Sequence, residues 1–208
     1  MIVASFYTPR PQEYPDKQYD FDELLMLLDK SCKKLDFKHM VISDEPRPKP
    51  LNTYLTYLPK NLMEAFLYGQ MSFLREVKEE VLFVGADCLL TRDPRPFFQS
   101  DLTITTSSTF SDCKMNTGAI FVKNTKLCLD VWIEALELEP KDWGDDQKCL
   151  YKMIKEYKGL DFKELRCEEH NWAPDDLNDN AHMATVVHFR GKRKSFMKDW
   201  ASKYLGIN

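Results

Sequence analysis

Short, unbroken apolar runs alternate along this chain with longer stretches in which apolar residues recur every third or fourth position. The first pattern is that of strands buried on both faces, the second that of amphipathic helices. Ile2 to Tyr7 is the first run, closed by the turn-forming Thr8-Pro9-Arg10-Pro11. Phe21, Leu24, Leu25, Leu28 and Leu35 then mark one face of a helix, with Asp, Glu and Lys between them. A strand from His39 to Ser43 follows, and strand, helix, strand in this order is the βαβ unit of a parallel sheet. Asp44 to Pro50 carries three prolines and is expected to be irregular. Asn61 to Val77 predicts a second helix, interrupted at Gly69, and Val81 to Val84 the next strand. Leu102 to Thr106, Ala119 to Val122 and Thr185 to Phe189 predict further strands; Cys128 to Leu138 and Asp145 to Tyr157 predict helices. The predicted fold class is α/β, a mostly parallel central sheet flanked by helices, in a single Rossmann-like domain over residues 1–208.

Composition and charge exclude several classes. The 43% hydrophobic and 30% charged content is that of an ordinary globular protein, with no apolar run of the roughly 20 residues needed to span a bilayer. The first residues, Met1-Ile2-Val3-Ala4-Ser5-Phe6, are apolar where a signal peptide carries its positive region, so a cytoplasmic protein is expected. Six scattered cysteines, without a CxxC pair, predict reduced and mostly buried thiols. A net charge of −4 gives no overall attraction to nucleic acid, although Arg190 to Lys203 is locally basic. No GxxxxGK[ST] or GxGxxG follows a strand, which excludes P-loop and nicotinamide enzymes. The lack of glycine from Ser5 to Glu13 argues against the phosphate loop of a nucleotidyltransferase.

In an open parallel sheet, ligands bind beyond the carboxyl ends of the strands, so the polar residues placed there carry the chemistry. Asp87 follows the Val81 to Val84 run through Gly85-Ala86, and His188 ends the last predicted strand ahead of Arg190-Gly191-Lys192-Arg193-Lys194. Asn116-Thr117-Gly118 reads as a turn entering the Ala119 strand. Trp143-Gly144-Asp145-Asp146-Gln147 opens a helix with its acids in the first turn, where the macrodipole favours them. Tyr7 and Thr8 follow the first strand, Ser43 and Asp44 end the second, and Arg75 lies just upstream of the Val81 strand. Trp172, within the polar loop expected from His170 to Pro174, is expected either to plug the core or to stack on a sugar ring.

Taken in order, these segments resemble the GT-A glycosyltransferases, and among them the GT8-like ones. Gly85-Ala86-Asp87, closed by Asp93-Pro94, resembles the DxD region, with Gly85 standing where the first aspartate is usual and Asp87 keeping the second, the direct metal ligand. His188 through Lys194 resembles the His-x-x-Gly-x-x-Lys segment, with Ser195-Phe196 in place of Pro-Trp. The resemblance implies that His188 completes the metal site and that Lys194 contacts the diphosphate. Asn116-Thr117-Gly118 resembles the Asn-[Ser/Thr]-Gly strand whose Asn holds the donor sugar, and Asp146-Gln147 the Trp-x-x-Asp-Gln element that faces donor sugar and acceptor. Tyr7, Thr8, Asp44 and Ala86 would then serve the nucleoside, and Arg75 a phosphate. The implied activity is sugar transfer from a nucleotide-diphosphate sugar, a UDP-sugar foremost, to a glycan, lipid-linked sugar, protein or nucleic-acid base. Mn²⁺ or Mg²⁺ would neutralise the leaving diphosphate. Gly85 keeps a second expectation open, a non-catalytic nucleotide-sugar-binding protein of the same fold.

Overall fold

The computed structural model describes residues 1–9, 18–108, 113–181 and 184–207. The turn expected at Thr8-Pro9-Arg10-Pro11 therefore lies partly outside the described residues. In chain order the elements are β1 (Ile2–Phe6), α1 (Phe21–Lys34), β2 (Lys38–Ser43), β3 (Thr53–Leu55), α2 (Leu62–Glu76), β4 (Val81–Val84) and β5 (Cys88–Leu90). Then come β6 (Leu102–Thr106), β7 (Met115–Val122), α3 (Thr125–Glu137), α4 (Asp145–Glu156), β8 (Phe162–Arg166), α5 (Cys167–His170), β9 (Asn171–Trp172), β10 (Val186–His188) and α6 (Met197–Trp200).

Seven strands form the central sheet in the order β3-β2-β1-β4-β7-β6-β8, parallel throughout except for β7, which runs against both its neighbours. Because its central strands are buried on both faces, the sheet is covered on both. Ile2, Phe6, Phe83 and Ile120 point to the side of α2, α3 and α4, where Trp132 is fully buried and donates its indole N–H to Gln70 Oε1 at 2.9 Å. Val3, Leu82, Val84 and Phe121 point to α1 and to a small second sheet ordered β5-β10-β9. A third cluster locks α6, through Trp200 and Met197, onto Leu24 and Leu27 of α1. Helix starts follow ordinary capping: the side chains of Asp20 and Asn61 accept the first backbone N–H groups of α1 and α2.

Several expectations are corrected by packing. Gly69 does not interrupt α2 but lets it approach the sheet, since a Cβ there would stand 3.0 Å from Ile42 and 3.1 Å from Phe6. β8 escapes the apolar pattern because Phe-Lys-Glu-Leu-Arg forms an edge strand with two exposed polar residues at its centre. β3, β5 and β9 are too short to show a period. The segment from His170 to Pro174, expected as a loop, contains β9, and Trp172 packs half-buried against the third cluster.

Ser5, His39 and Asp29 form a buried polar chain between β1, β2 and α1. Ser5 Oγ lies 2.9 Å from His39 Nε2, and His39 Nδ1 3.7 Å from Asp29, which pairs with Lys33 at 2.6 Å. With each of the three about 1% exposed, no substrate reaches them and their role is structural. Burial lowers the His39 pKa, against the opposing pull of Asp29. The native state thus holds this imidazole neutral, while the unfolded chain protonates it below roughly pH 6.5. The resulting stability is complete above that pH and is lost as pH falls toward the lower folded value, at up to about 1.4 kcal/mol per unit. Urea denaturation at a series of pH values between 8 and 5 is expected to show this decline, and His39→Gln to make it shallower; equal slopes would contradict the assignment.

Candidate functional site

A cavity of about 490 Å³ opens at the carboxyl edge of the central sheet. Its walls come from the ends of β1 and β4, the first turns of α2 and α4, the start of β7 and the segment after β10. The antiparallel direction of β7 explains why the beginning of a strand reaches this edge. The register of β7 with β6 jumps from Ile104–Ile120 to Thr105–Asn116, leaving Thr117, Gly118 and Ala119 without partners on β6. Asn116-Thr117-Gly118 is therefore a bulge inside a strand and not a turn before one, and it pushes these residues into the cavity.

Asp87 is the electrostatic centre. His188 Nε2 stands 3.2 Å from its Oδ1 and Lys194 Nζ 2.7 Å from its Oδ2, all three largely buried. The small sheet sets this contact, because Cys88 and His188 are antiparallel partners in the β5–β10 ladder. Burial alone would raise the Asp87 pKa, but His188 and Lys194 outweigh it and hold the carboxyl well below the usual range. Gly118 makes room for the imidazole, since a Cβ there would lie 2.2 Å from His188 Nδ1. At Gly85 a Cβ would come within 2.7 Å of Asp87 Oδ1, so the Asp87 carboxylate occupies the space where a longer side chain would begin.

Donor atoms of Asp87, Cys88 and His188 lie within 4.8 Å of one another. Burial pushes the Cys88 thiol far above its ordinary value, and Sγ faces the Gly118 carbonyl at 3.5 Å. A carboxylate and an imidazole on the cavity wall fit an oxygen-preferring divalent ion such as Mn²⁺, while a protonated thiol does not.

At the opposite wall, Asp146 is 5% exposed and burial raises its carboxyl to about 6, against hydrogen bonds from its own and the Gln147 backbone N–H. Gly144, at φ +87°, turns the chain into α4. Asp145 faces away and accepts the Lys141 and Asp142 backbone N–H groups. Gln147 Oε1 accepts the Thr117 N–H at 3.3 Å, and Asn116 Oδ1 accepts that of Gly118 at 2.8 Å. Asn171, from β9, donates its amide to Asn116 Oδ1 at 2.8 Å and to Thr105 Oγ1 at 3.0 Å.

The cavity thus brings together Tyr7, Ala86, Asp87, Asn116, Asp146, Gln147, His188 and Lys194. Thr8 and Asp44 do not line it; they are bonded to each other at 2.8 Å. Arg75 is far from it: exposed in the last turn of α2, just ahead of β4, it sits at the amino edge of the sheet and cannot serve a phosphate at the carboxyl edge. The basic run after β10 is largely neutralised, with Arg193 on Asp175 and Lys198 on Glu23. Phe21, Met63, Phe66 and Arg190 also line the cavity. Their sequence signal was absent, because Phe21, Met63 and Phe66 read as helix core and Arg190 as one cation in a basic run. Trp143 stands at the rim, 61% exposed.

The sheet order and the helices that cover it are those of a GT-A fold. Among solved structures, a glycosyltransferase involved in glycosylation of the major capsid of PBCV-1 aligns over 96% of this chain and 99% of its own, at a TM-score of 0.63 and 12% identity. The galactosyltransferase LgtC, solved with donor and acceptor sugar analogs, aligns over 100% and 98% at a TM-score of 0.58 and 12% identity. The apo-form glycosyltransferase GlyE of Streptococcus pneumoniae TIGR4 aligns over 96% of this chain and 60% of its own, at a TM-score of 0.58 and 12% identity. No family profile and no curated protein matches the sequence. No helix among the described residues is long and apolar enough to cross a membrane.

Proposed function

We propose that this chain is a glycosyltransferase, acting as one domain over residues 1–208, that moves a sugar from a nucleotide-diphosphate sugar to an acceptor hydroxyl. The observation that carries the reading is the buried Asp87, His188 and Lys194 constellation at the end of β4, in one cavity with Asn116, Asp146 and Gln147. Asp87 and His188 would hold Mn²⁺ or Mg²⁺, which supplies charge neutralisation to the departing diphosphate. Lys194, once drawn from Asp87, and Arg190 beside it place positive charge on the same diphosphate. Tyr7 and Ala86 form the wall for the nucleoside, a uridine foremost, and Asn116 that for the sugar. Asp146, poised about two pH units above an ordinary aspartate by its burial, accepts a hydrogen bond or a proton from a sugar hydroxyl. Six unpaired cysteines suit a reducing compartment, which favours the cytoplasm.

The test is a thermal-shift screen of nucleotide-sugars with and without Mn²⁺, because a ligand of the native state raises stability by mass action, by about 2.7 kcal/mol at a hundred times its Kd. A UDP-sugar is expected to raise Tm, and Mn²⁺ to enlarge the rise. If no donor shifts Tm in either condition, the proposal fails. Gly85 favours a second reading, binding without turnover, since it leaves Asp87 as the one carboxylate in the turn between β4 and β5. Donor binding without donor hydrolysis or transfer to a panel of glycan, lipid-linked, protein and nucleic-acid acceptors would decide for that reading.

A further inference from the structure

We propose that Asn171, which does not touch the cavity, is a positioning residue that fixes the amide of Asn116 with its nitrogen facing the bound sugar. The inference rests on the nucleotide-sugar reading of the cavity. Backbone groups set the polarity of the hydrogen-bond chain without ambiguity. The Gly118 N–H can only donate, so the atom it meets on Asn116 is the oxygen. Thr105 Oγ1 lies 3.1 Å from the Asn116 carbonyl and 3.2 Å from that of Ala119, so its proton is committed there and its oxygen must accept. Both neighbours of Asn171 are therefore acceptors, and its Nδ2 donates to each, at 2.8 Å and 3.0 Å.

With Oδ1 held from behind by two donors, Asn116 Nδ2 is the atom left for the cavity that Asn116 lines. Turning this amide over would set its NH₂ against two other N–H groups. Asn171 itself is 2% exposed and comes from β9, next to the strand that carries His188. The small sheet thus supplies a cavity ligand, His188, and the brace for another residue. Gln147, whose oxygen is held by the Thr117 N–H, is turned the same way. The sugar wall consequently offers two N–H donors to hydroxyl oxygens, with Asp146, in the first turn of α4, as the acceptor.

The experiment measures affinity for UDP-galactose and for UDP, both with Mn²⁺, by isothermal titration. Asn116→Ala is expected to weaken UDP-galactose about tenfold, the worth of one hydrogen bond, and to leave UDP unchanged. Asn171→Ala is expected to give the same selective loss, with no further loss in the double variant, because both changes remove one interaction. Asn171→Asp keeps the volume, sets an acceptor against an acceptor, and should show the loss again should the alanine variant not fold. Equal weakening of UDP and UDP-galactose would make Asn171 merely structural and overturn the inference, as would additive losses in the double variant. A selective loss in Asn116→Ala alone overturns the inference and leaves the nucleotide-sugar reading standing. If neither compound binds the unaltered protein, reading and inference fall together.

Discussion

Replacing Gly118 with Ala is expected to abolish metal-dependent donor binding and transfer. The new methyl would sit 2.2 Å from His188 Nδ1, 2.6 Å from its Cε1 and 2.8 Å from Asn116 Oδ1, with no flexible chain end to give way. Because His188 is paired through its backbone to Cys88, the ring must rotate rather than retreat, and Nε2 leaves Asp87. A misplacement of about 1 Å in a catalytic group costs on the order of 100-fold in rate. Overpacking should also lower stability by about 1–3 kcal/mol. Enzyme assay and the Mn²⁺-dependent thermal shift check this together. A variant that folds, binds donor and shifts with Mn²⁺ as the parent does would show that His188 has no part in the site.

Asp87→Asn is the second large effect, and its stability and activity consequences separate. Removing one partner of this buried ion pair takes from Lys194, whose side chain is 5% exposed, the carboxylate 2.7 Å from its Nζ. Such losses run to about 3–5 kcal/mol. The double variant Asp87→Asn with Lys194→Met removes both charges and is expected to regain most of that stability in urea denaturation. Turnover should stay lost, by at least about 100-fold, in both variants, since neither keeps a carboxylate for the ion. Recovery of turnover in the double variant would mean that Asp87 serves only to neutralise the lysine.

The sequence made the α/β class legible because β1 and β4 are almost wholly apolar, β2 carries the apolar Met40-Val41-Ile42, and the helices between them carry a clear period. The places of Asp87 and His188 on the cavity wall were legible for a related reason: each closes an apolar run, and run ends lie at the carboxyl edge of such sheets. Asn171 was not legible, because its value depends on two hydrogen bonds to residues more than 50 positions away, which no local pattern encodes. Arg75 misled because nearness in sequence to β4 was read as nearness to its carboxyl end, when the residue ahead of a strand lies at the opposite edge. The bulge in β7 was read as a turn because Asn and Gly mark both, and only the pairing with β6 tells them apart.

The ladder joining β5 to β10 has a consequence for how this protein is made. Cys88 and His188 face each other on paired strands, with Asp87 just ahead of the first, about a hundred residues apart in the chain, and the intervening segment must be closed before they meet. Closing so long a loop is entropically costly and is repaid only when the late strand pairs. Residues 186–194 bring His188 and Lys194 to Asp87, so a nascent chain short of that point lacks this wall of the cavity.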